Sequence, residues 1–315
     1  MSGRMKPEGG TAAPTALGVS SASVGSDGSE VKESPNGFAW RESLVLRCYA
    51  SKSMRSPFLS VVIPAFNEEA RIARTVGEVI AAVDRLALDA EVLVVDDGSS
   101  DRTAAIVEET ARSEPRVRLV RAAHAGKGAA VRRGMLAARG AWRFLADADL
   151  ATPVSELPHF LDAARHTADQ VLVGSREAAG ATRVGEPWRR HVLGRLFNAM
   201  VKLLVLRGIE DTQCGFKLFS ARAAATLFPL QRLDGFGFDV EILFLARRAG
   251  FGIREIPVTW IYGPGSKVGL LSGARGFLDI LAVRWNQLRG AYPPRAAMRP
   301  RAGAAASRED MASSR

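Results

Sequence analysis

The chain has 315 residues, of which 47% are hydrophobic, and a formal net charge of +10. That length allows one large domain or two modest ones, and the charge suits nucleic acid, acidic membrane surfaces or phosphorylated ligands without choosing among them. Two distant cysteines, Cys48 and Cys214, exclude a disulfide framework and favour a reducing setting, and no Cys/His cluster has zinc-ligand spacing.

The two ends of the chain differ in composition from its middle. Residues 1–55 predict a disordered N-terminal extension, because residues 1–37 are rich in Gly, Ser, Ala and Pro, and residues 291–315 predict a disordered basic tail. Met54 precedes the first predicted strand, so the sequence leaves open whether residues 1–53 belong to the native protein. No apolar run approaches the ~20 residues that span a bilayer, and no signal peptide is evident, so we expect a cytoplasmic or peripheral protein.

Between the two ends, apolar runs alternate with helical periodicities. The predicted strands cover residues 59–63, 91–95, 117–121, 142–146 and 170–173. The predicted helices cover residues 68–85, 101–112, 127–139 and 155–164. Apolar strands separated by helices predict an α/β fold, with a mostly parallel sheet flanked by helices. In such a sheet the ligand site lies beyond the carboxyl ends of the strands, where every polar motif of this chain falls.

Two carboxylates, Asp147 and Asp149, follow the predicted strand at 142–146. Paired carboxylates at the end of a buried strand repel each other and are costly to desolvate, and a divalent cation relieves that cost. Carboxylate oxygens suit Mg²⁺ or Mn²⁺, which can also bridge a substrate diphosphate. The pair therefore predicts a metal site, and a solvated turn that caps the next helix is the plainer alternative.

The second predicted strand ends in Asp96 and Asp97, followed by Gly98. Glycine permits a positive φ and a close approach of backbone to a ligand. One of the two carboxylates can hydrogen-bond a ribose hydroxyl or a base edge. The alternative is a turn with a helix cap, and the two interpretations are compatible because Asp101 can provide the cap.

Two further turns lie at the same predicted edge. Residues 64–69 (PAFNEE) connect the first strand to the first helix, and Asn67 or Glu68 there can bind a ligand or merely cap the helix. Lys127 lies between two glycines at a helix start, which predicts a binding site for a phosphate or another anion. The alternative is a glycine-rich turn in which the lysine is merely solvated. Neither a dinucleotide-binding GxGxxG motif nor a Walker A loop is present.

Together these motifs resemble family 2 glycosyltransferases with the GT-A fold, a Rossmann-like sheet flanked by helices. The matching segments are PAFNEE (64–69), VVDDGSSDRT (94–103), GKGAAVRRG (126–134) and DAD (147–149). GSR (174–176), DTQCGFKLF (211–219), FDVE (238–241) and Trp260 with GSK (265–267) resemble the dolichyl-phosphate or polyprenyl-phosphate β-glucosyltransferase branch, related to dolichyl-phosphate mannose synthases. The resemblance covers residues 58–290 and implies one GT-A domain over residues 56–290.

The resemblance also implies roles for particular residues. Nucleotide-sugar binding falls to Pro64, Ala65, Asn67, Glu68, Asp96, Asp97, Lys127, Asp147 and Ala148. Metal binding falls to Asp147 and Asp149, and the catalytic residues are Asp149, Asp239 and Arg176. Acceptor binding falls to Arg176, Arg189, Arg190, Asp211, Gln213 and Lys267, with Arg183 on the same loop as Arg176.

The activity that the resemblance implies is inverting sugar transfer to a polyprenyl or dolichyl phosphate. Mannose synthases of this group carry Gln two positions after the second Asp, where this chain has Ala151, which favours UDP-glucose over GDP-mannose as donor. Mannose transfer from GDP-mannose remains an alternative. So do a transferase for hydroxyl acceptors, which needs Asp239 as a true base, and a non-catalytic nucleotide-sugar-binding scaffold. Nucleic-acid binding is not expected, since the basic charge is spread out and no recognised module appears.

Two segments, residues 192–207 and 268–289, are apolar with scattered Arg and Lys. We predict amphipathic helices on the acceptor side of the site. Basic amphipathic helices with Trp and Leu suit a membrane interface, and packing on the sheet is the alternative. A lipid-linked acceptor then predicts a peripheral location on the cytoplasmic face of a membrane. An integral membrane partner is compatible with that location.

Overall fold

The computed structural model describes residues 56–165, 170–185, 187–263 and 270–298. Within these ranges the side chains of residues 170, 189–191, 193, 196 and 270–277 are outside the description. The predicted N-terminal extension and Lys267 also lie outside the described residues.

In this part of the chain the main sheet has seven strands, which are β1 (Leu59–Ala65), β2 (Ala90–Asp96), β3 (Val117–Arg121), β4 (Trp142–Ala146), β5 (Gln170–Ser175), β7 (Phe216–Ser220) and β8 (Gly252–Pro257). Their order in the sheet is β3-β2-β1-β4-β7-β5-β8. Neighbours pair in parallel except at β7, which is antiparallel to both β4 and β5. A separate parallel pair consists of β6 (Thr182–Val184) and β9 (Thr259–Ile261).

Helices cover both faces of the sheet. They are α1 (Ile72–Arg85), α2 (Thr103–Ser113), α3 (Lys127–Ala137), α4 (Leu157–Arg165), α5 (Trp188–Leu204), α6 (Ala221–Leu227), α7 (Phe238–Ala249), α8 (Leu270–Leu288) and α9 (Arg295–Met298). One apolar layer joins the sheet to α1, α2 and α4, and the other joins it to the remaining helices. Successive side chains of a strand point to opposite faces, so Val61 and Ile63 enter the first layer and Val62 the second.

The predicted parallel sheet is confirmed, and the predicted elements agree with the observed ones to within a few residues. The first helix begins at Ile72 rather than at residue 68, because Asn67, with φ of +53°, turns the chain before the helix starts. The two amphipathic segments form α5 and α8. Strand β7 was not predicted, since its sequence FKLFS carries a lysine in the middle of a buried run.

The folded part of the chain extends past the predicted boundary at residue 290. Tyr292 and Met298 are both 3% exposed, and the Tyr292 hydroxyl donates to Glu241 Oε1 at 2.6 Å. Residues 291–298, which were predicted to belong to the disordered tail, are therefore part of the described structure, with Tyr292 and Met298 buried and residues 294–297 exposed. Within the described ranges, none of the helices is both long and apolar enough to cross a bilayer.

Candidate active site

The carboxyl ends of β1, β2 and β4 lie side by side at one edge of the sheet. Ala65 at the end of β1 pairs with Asp96 at the end of β2, and Val62 of β1 pairs with Leu145 of β4. The turns after these strands therefore meet. The turn after β4 borders a small open cleft, lined by Asp147, Asp149, Leu150, Ala151, Thr152, Gly215, Phe216 and Trp260.

A tight turn after β4 presents Asp147 and Asp149 to this cleft. The Leu150 N–H donates to the Asp147 carbonyl at 3.1 Å, with Leu150 at φ of +45°, and the Ala151 N–H donates to Asp149 Oδ1 at 3.1 Å. Burial removes water from the Asp149 carboxylate and raises its pKa above the ordinary value, and the charge of Asp147 raises the pKa further. Ionisation of Asp149 beside Asp147 therefore costs free energy that an added cation would offset.

The donor set of Asp147 and Asp149 fits a hard divalent cation. Both supply carboxylate oxygens to an open cleft, as Mg²⁺ or Mn²⁺ requires. Among the described residues no group of three or more His, Cys, Asp or Glu side chains forms a complete metal site. Such ions commonly use one or two carboxylates, with water and substrate phosphates completing the shell, so the pair suffices when a diphosphate is present.

Lys127 extends from the first residue of α3 toward the same carboxylates. Its Nζ lies 2.7 Å from Asp147 Oδ1. Close packing fixes the helix start, because a Cβ on Gly126, where φ is +112°, would lie 2.6 Å from the Asp234 carbonyl oxygen. Burial lowers the pKa of Lys127, but the charges of Asp147 and Asp239 outweigh it and leave the pKa raised. Lys127 is therefore a cation positioned at a helix N-terminus, where anions bind.

A buried ion pair lies behind Lys127. Lys217 of β7 places its Nζ 2.5 Å from Asp239 Oδ1 and 2.6 Å from the Cys214 carbonyl oxygen. The two side chains are 1% and 4% exposed. Burial raises the pKa of Asp239, while the charges of Lys217 and Lys127 act in the opposite direction. Sequence analysis identified Asp239 but missed Lys217, whose signal was a lysine within an otherwise apolar strand.

The residues predicted to contact the nucleotide from the β1 turn also brace the turn itself. Asn67 Oδ1 accepts from the Ser100 N–H at 2.8 Å, and the Asn67 N–H donates to Ser99 Oγ at 2.9 Å. The Glu68 N–H donates to Thr103 Oγ1 at 2.7 Å. These bonds join the turn after β1 to the turn after β2, so both turns are held in one arrangement. Pro64 and Ala65 lie at the buried end of β1.

Asp96 and Asp97 are both buried but have different surroundings. Asp97 Oδ1 accepts from the Ala125 N–H at 3.0 Å, and Asp97 Oδ2 accepts from the Gly126 N–H at 2.8 Å. Asp97 therefore holds the loop that leads into Lys127. Asp96 Oδ1 accepts only a long bond, 3.3 Å, from the Ser99 N–H among the contacts described for its carboxylate. Among the described contacts, the Asp96 carboxylate therefore has more unused acceptor capacity than the Asp97 carboxylate.

Arg176, Asp211 and Gln213, predicted on the acceptor side, lie together. The Arg176 Nε donates to Asp211 Oδ2 at 2.6 Å and its Nη2 donates to Oδ1 at 2.9 Å, a bidentate pair. The Gln213 N–H donates to Asp211 Oδ1 at 3.1 Å. The Arg176 guanidinium also lies 5.5 Å from the ring centroid of Trp260, which lines the cleft. The pair therefore adjoins the carboxylate site.

The remaining residues predicted to bind the acceptor are only partly described. Arg189 and Arg190 lie in the first turn of α5, and their side chains are outside the description. Arg183 donates from Nε to the Arg176 carbonyl at 3.1 Å and pairs with Glu177. Arg183 thus supports the backbone of Arg176.

Acid is expected to remove the stabilisation that Asp211 provides. Burial raises the pKa of Asp211, but the charge and hydrogen bonds of Arg176 outweigh it and lower the pKa to about 2. The contribution, about 2 kcal/mol, is present above the unfolded pKa near 4 and is lost as the pH falls toward 2. Denaturant unfolding of the wild type and Asp211→Asn at several pH values measures it. The difference in unfolding free energy should shrink on acidification, and a constant difference would contradict the assignment.

A mostly parallel sheet with paired carboxylates and a lysine at its carboxyl edge is the arrangement that the resemblance to GT-A glycosyltransferases implies. The model of the family described as "Glycosyl transferase family 2" matches residues 60–228, and the chain belongs to this family. The chain is an enzyme that transfers sugars, and the predicted family and fold are confirmed.

Several curated relatives share one name, "Dolichyl-phosphate beta-glucosyltransferase". The relative from Dictyostelium discoideum is 32% identical over 75% of this chain and 76% of its own length. The relative from Saccharomyces cerevisiae is 34% identical over 75% and 76%, and the human one is 34% identical over 74% and 77%.

Solved structures support the fold. Glucosyl-3-phosphoglycerate synthase from Mycobacterium tuberculosis in complex with UDP has a TM-score of 0.54 and 21% identity, and covers 78% of this chain and 86% of its own. The same enzyme with Mn²⁺ and UDP-glucose has a TM-score of 0.52 and 20% identity, with coverage of 78% and 84%. At this identity the likeness shows the fold alone.

Proposed function

We propose that this chain transfers glucose from UDP-glucose to the phosphate of a polyprenyl phosphate such as dolichyl phosphate. The products are UDP and a β-linked lipid-phosphate sugar. The name shared by the curated relatives supports the acceptor and the sugar. The observation that carries the proposal is the cleft in which Asp147 and Asp149 face Trp260, with the Arg176–Asp211 pair against that ring.

The donor half of the reaction falls to the carboxylate edge. Lys127 and the N-terminus of α3 place positive charge where the diphosphate gains negative charge as UDP leaves. Mg²⁺ or Mn²⁺ held by Asp147 and Asp149 would supply Lewis-acid stabilisation of that diphosphate. Lys127 now neutralises Asp147, so binding of the diphosphate exchanges one partner of this lysine for another.

The acceptor half needs no protein base. A phosphate monoester has a second pKa of about 6, so its oxygen is already ionised near neutral pH. That oxygen attacks the anomeric carbon as the bond to the diphosphate breaks, and a single displacement converts an α-linked donor into a β-linked product. Asp239, held by Lys217, keeps a fixed position at the first turn of α7 and orients the sugar in this scheme.

The alternatives differ in donor or acceptor. Ala151 lines the cleft beside the carboxylates and offers no side-chain ligand, which supports UDP-glucose over GDP-mannose within the resemblance. A hydroxyl acceptor would need Asp239 as base, yet this carboxylate already accepts a hydrogen bond from a buried lysine. A non-catalytic nucleotide-sugar-binding scaffold has no use for the acceptor-side Arg176–Asp211 pair.

A lipid-linked acceptor requires work at a membrane surface, so we propose a peripheral location on its cytoplasmic face. Two exposed tryptophans support this: Trp188 at the start of α5 is 71% exposed and Trp285 near the end of α8 is 63% exposed. Tryptophan favours the membrane interface. An integral membrane partner is compatible with this location but is not required by it.

The proposal is tested with purified protein and labelled UDP-glucose, GDP-mannose and UDP-GlcNAc, each with and without Mg²⁺ or Mn²⁺. Each donor is paired with a short polyprenyl phosphate and with the matching polyprenol. We expect metal-dependent product from UDP-glucose and the phosphate acceptor, in the β configuration by NMR. Product from the polyprenol, an α-linked product, or metal-independent turnover would contradict the proposal.

Gly215 supports the carboxylate site through its lack of a side chain. A Cβ at this position would lie 1.9 Å from Asp147 Oδ2, so Gly215→Ala must displace that carboxylate. We expect transfer to fall by about 10²-fold, the cost of a displacement near 1 Å at a reacting site. The matched control is Gly77→Ala in α1, where the new methyl group meets no atom within 4 Å. The control should keep full activity, and an equally active Gly215→Ala would contradict the placement of Asp147.

A further inference from the structure

A second concave surface, which we call the basic groove, lies among α5, α7, α8 and α9. Its basic side chains are Lys202, Arg207, Arg247, Arg248, Arg284 and Arg295. None of the described residues that line it is acidic, and its other lining residues include Leu203 and Phe244.

The basic groove is separate from the active-site cleft. Helix α7 carries Asp239 in its first turn and Arg247 and Arg248 in its last turn. At 1.5 Å per residue these positions are about 12 Å apart along the helix axis. The groove therefore lies at the opposite end of this helix and does not serve the donor diphosphate.

Backbone contacts hold several of these arginines in place. Arg248 donates to the Pro293 carbonyl from Nη2 at 3.1 Å, Arg247 donates to the Arg207 carbonyl, and Arg284 donates to the Leu204 carbonyl. A guanidinium has five N–H donors, so each such contact uses only part of its capacity. The positive charges are thus fixed close to one another, and an anion in the groove would relieve their repulsion.

Among the described contacts, the acidic residue that pairs with a basic side chain of the groove is Glu210. It pairs with Lys202 at the start of the groove. One carboxylate leaves most of the positive charge in the groove uncompensated. The groove is therefore complementary to a ligand with several negative charges or to a surface that presents many of them.

An apolar strip of α8 runs beside the basic groove. Leu281, Trp285 and Leu288 are 53%, 63% and 80% exposed, and their spacing of four and three residues places them on one side of the helix. Arg284, on the adjacent side of the same helix, lines the groove. Leu203 of α5 lines it too and is 74% exposed. A soluble phosphate compound would leave these apolar side chains in water, whereas a lipid surface covers both features at once.

We propose that the basic groove binds the phosphate headgroups of anionic phospholipids while the exposed strip of α8 enters the membrane interface. This inference deepens the proposed function, because it names the surface on which the acceptor lipid is reached. Charge complementarity selects the headgroup, and apolar burial adds affinity that is independent of headgroup charge. The result is a protein that binds anionic membranes more tightly than neutral ones.

The test is co-sedimentation of the full chain with two kinds of vesicle. The neutral vesicles contain phosphatidylcholine alone, and the mixed vesicles contain equal parts of phosphatidylcholine and phosphatidylglycerol. We expect binding to the mixed vesicles, weakening as salt is added. Arg207→Gln combined with Arg295→Gln should weaken it about 25-fold, since each basic residue near an anionic surface contributes about fivefold. Leu281→Ser with Leu288→Ser should weaken binding to both kinds of vesicle, at least about tenfold.

The matched control removes the same charge elsewhere. Arg74 and Arg112 are exposed on α1 and α2, which cover the other face of the sheet, and Arg74→Gln with Arg112→Gln should bind like the wild type. The lipid assignment is overturned when the groove variant binds the mixed vesicles as tightly as the control. The assignment is also overturned if the wild type binds neutral vesicles as tightly as mixed vesicles. It is overturned too if the wild type binds inorganic phosphate but neither kind of vesicle.

Glucose transfer to a short polyprenyl phosphate in detergent separates this inference from the proposed function. The groove variant should retain that transfer, because its substitutions lie away from the cleft. Absence of transfer in the wild type refutes the proposed function and leaves the vesicle result to be judged by itself. Thermal unfolding of each variant confirms that the comparison concerns folded protein.

Discussion

Asp149→Asn is expected to lower kcat for glucose transfer at least about 10²-fold, the usual cost of removing a group that stabilises transition-state charge. Thermal stability should be unchanged or slightly higher. Asp149 faces the cleft, and its raised pKa means that the ionised form is disfavoured there without a cation. The asparagine oxygen can still accept from the Ala151 N–H, so the turn is preserved.

Three measurements check this result: kcat at saturating metal, calorimetric Mn²⁺ binding in the presence of UDP, and the unfolding temperature. Asp84→Asn, a surface carboxylate paired with Arg116, is the matched control and should keep full kcat. Asp147→Asn should lose activity and some stability as well, because it removes the partner of Lys127. Normal kcat and metal affinity in Asp149→Asn would refute the metal site.

Lys217→Met is expected to lower the free energy of unfolding by about 3–5 kcal/mol at neutral pH. The substitution leaves the buried carboxylate of Asp239 without its ion-pair partner. For a folded unit of this size the unfolding temperature should fall by roughly 10 °C. The loss should shrink as the pH falls, because a carboxyl with a raised pKa takes up its proton in the folded state and then carries no unpaired charge.

A second variant distinguishes the ion pair from simple packing at the same position. Lys217→Met combined with Asp239→Val replaces both charges by apolar groups of comparable volume, and such replacements are often neutral for stability. We expect its unfolding temperature to approach that of the wild type while transfer is reduced, since no carboxylate at position 239 orients the sugar. Thermal and chemical unfolding measure the effect. Wild-type stability in Lys217→Met alone at neutral pH would show that the pair does not stabilise the fold.

Local sequence patterns were sufficient to predict the sheet and the edge of it at which the candidate site lies. Apolar strands separated by helical periodicities predicted the parallel core of β1 to β5, and the observed bounds agree closely. The carboxyl ends of parallel strands share one edge, so the motifs holding Asp147 and Lys127 could be placed together without coordinates. The structure joins these two side chains at 2.7 Å.

Local sequence patterns could not decide whether a given carboxylate binds a ligand or accepts hydrogen bonds from the chain's own backbone. Asp96 and Asp97 are adjacent and chemically identical, yet Asp97 accepts from the N–H groups of Ala125 and Gly126. That choice depends on which loop lies next to β2 in the folded chain. The extent of the C-terminal part was underestimated for a related reason, because the partner that buries the Tyr292 hydroxyl is the distant Glu241.

The sequence by itself determined the fold class, the family resemblance and the residues that carry charge at the carboxyl edge of the sheet. Only the tertiary structure decided how β7 enters the sheet, where it brings Gly215 against Asp147 and Lys217 against Asp239. Periodicity reports on neighbours within one helix or strand. Contacts between distant residues depend on strand order and register, which are set when the whole core packs.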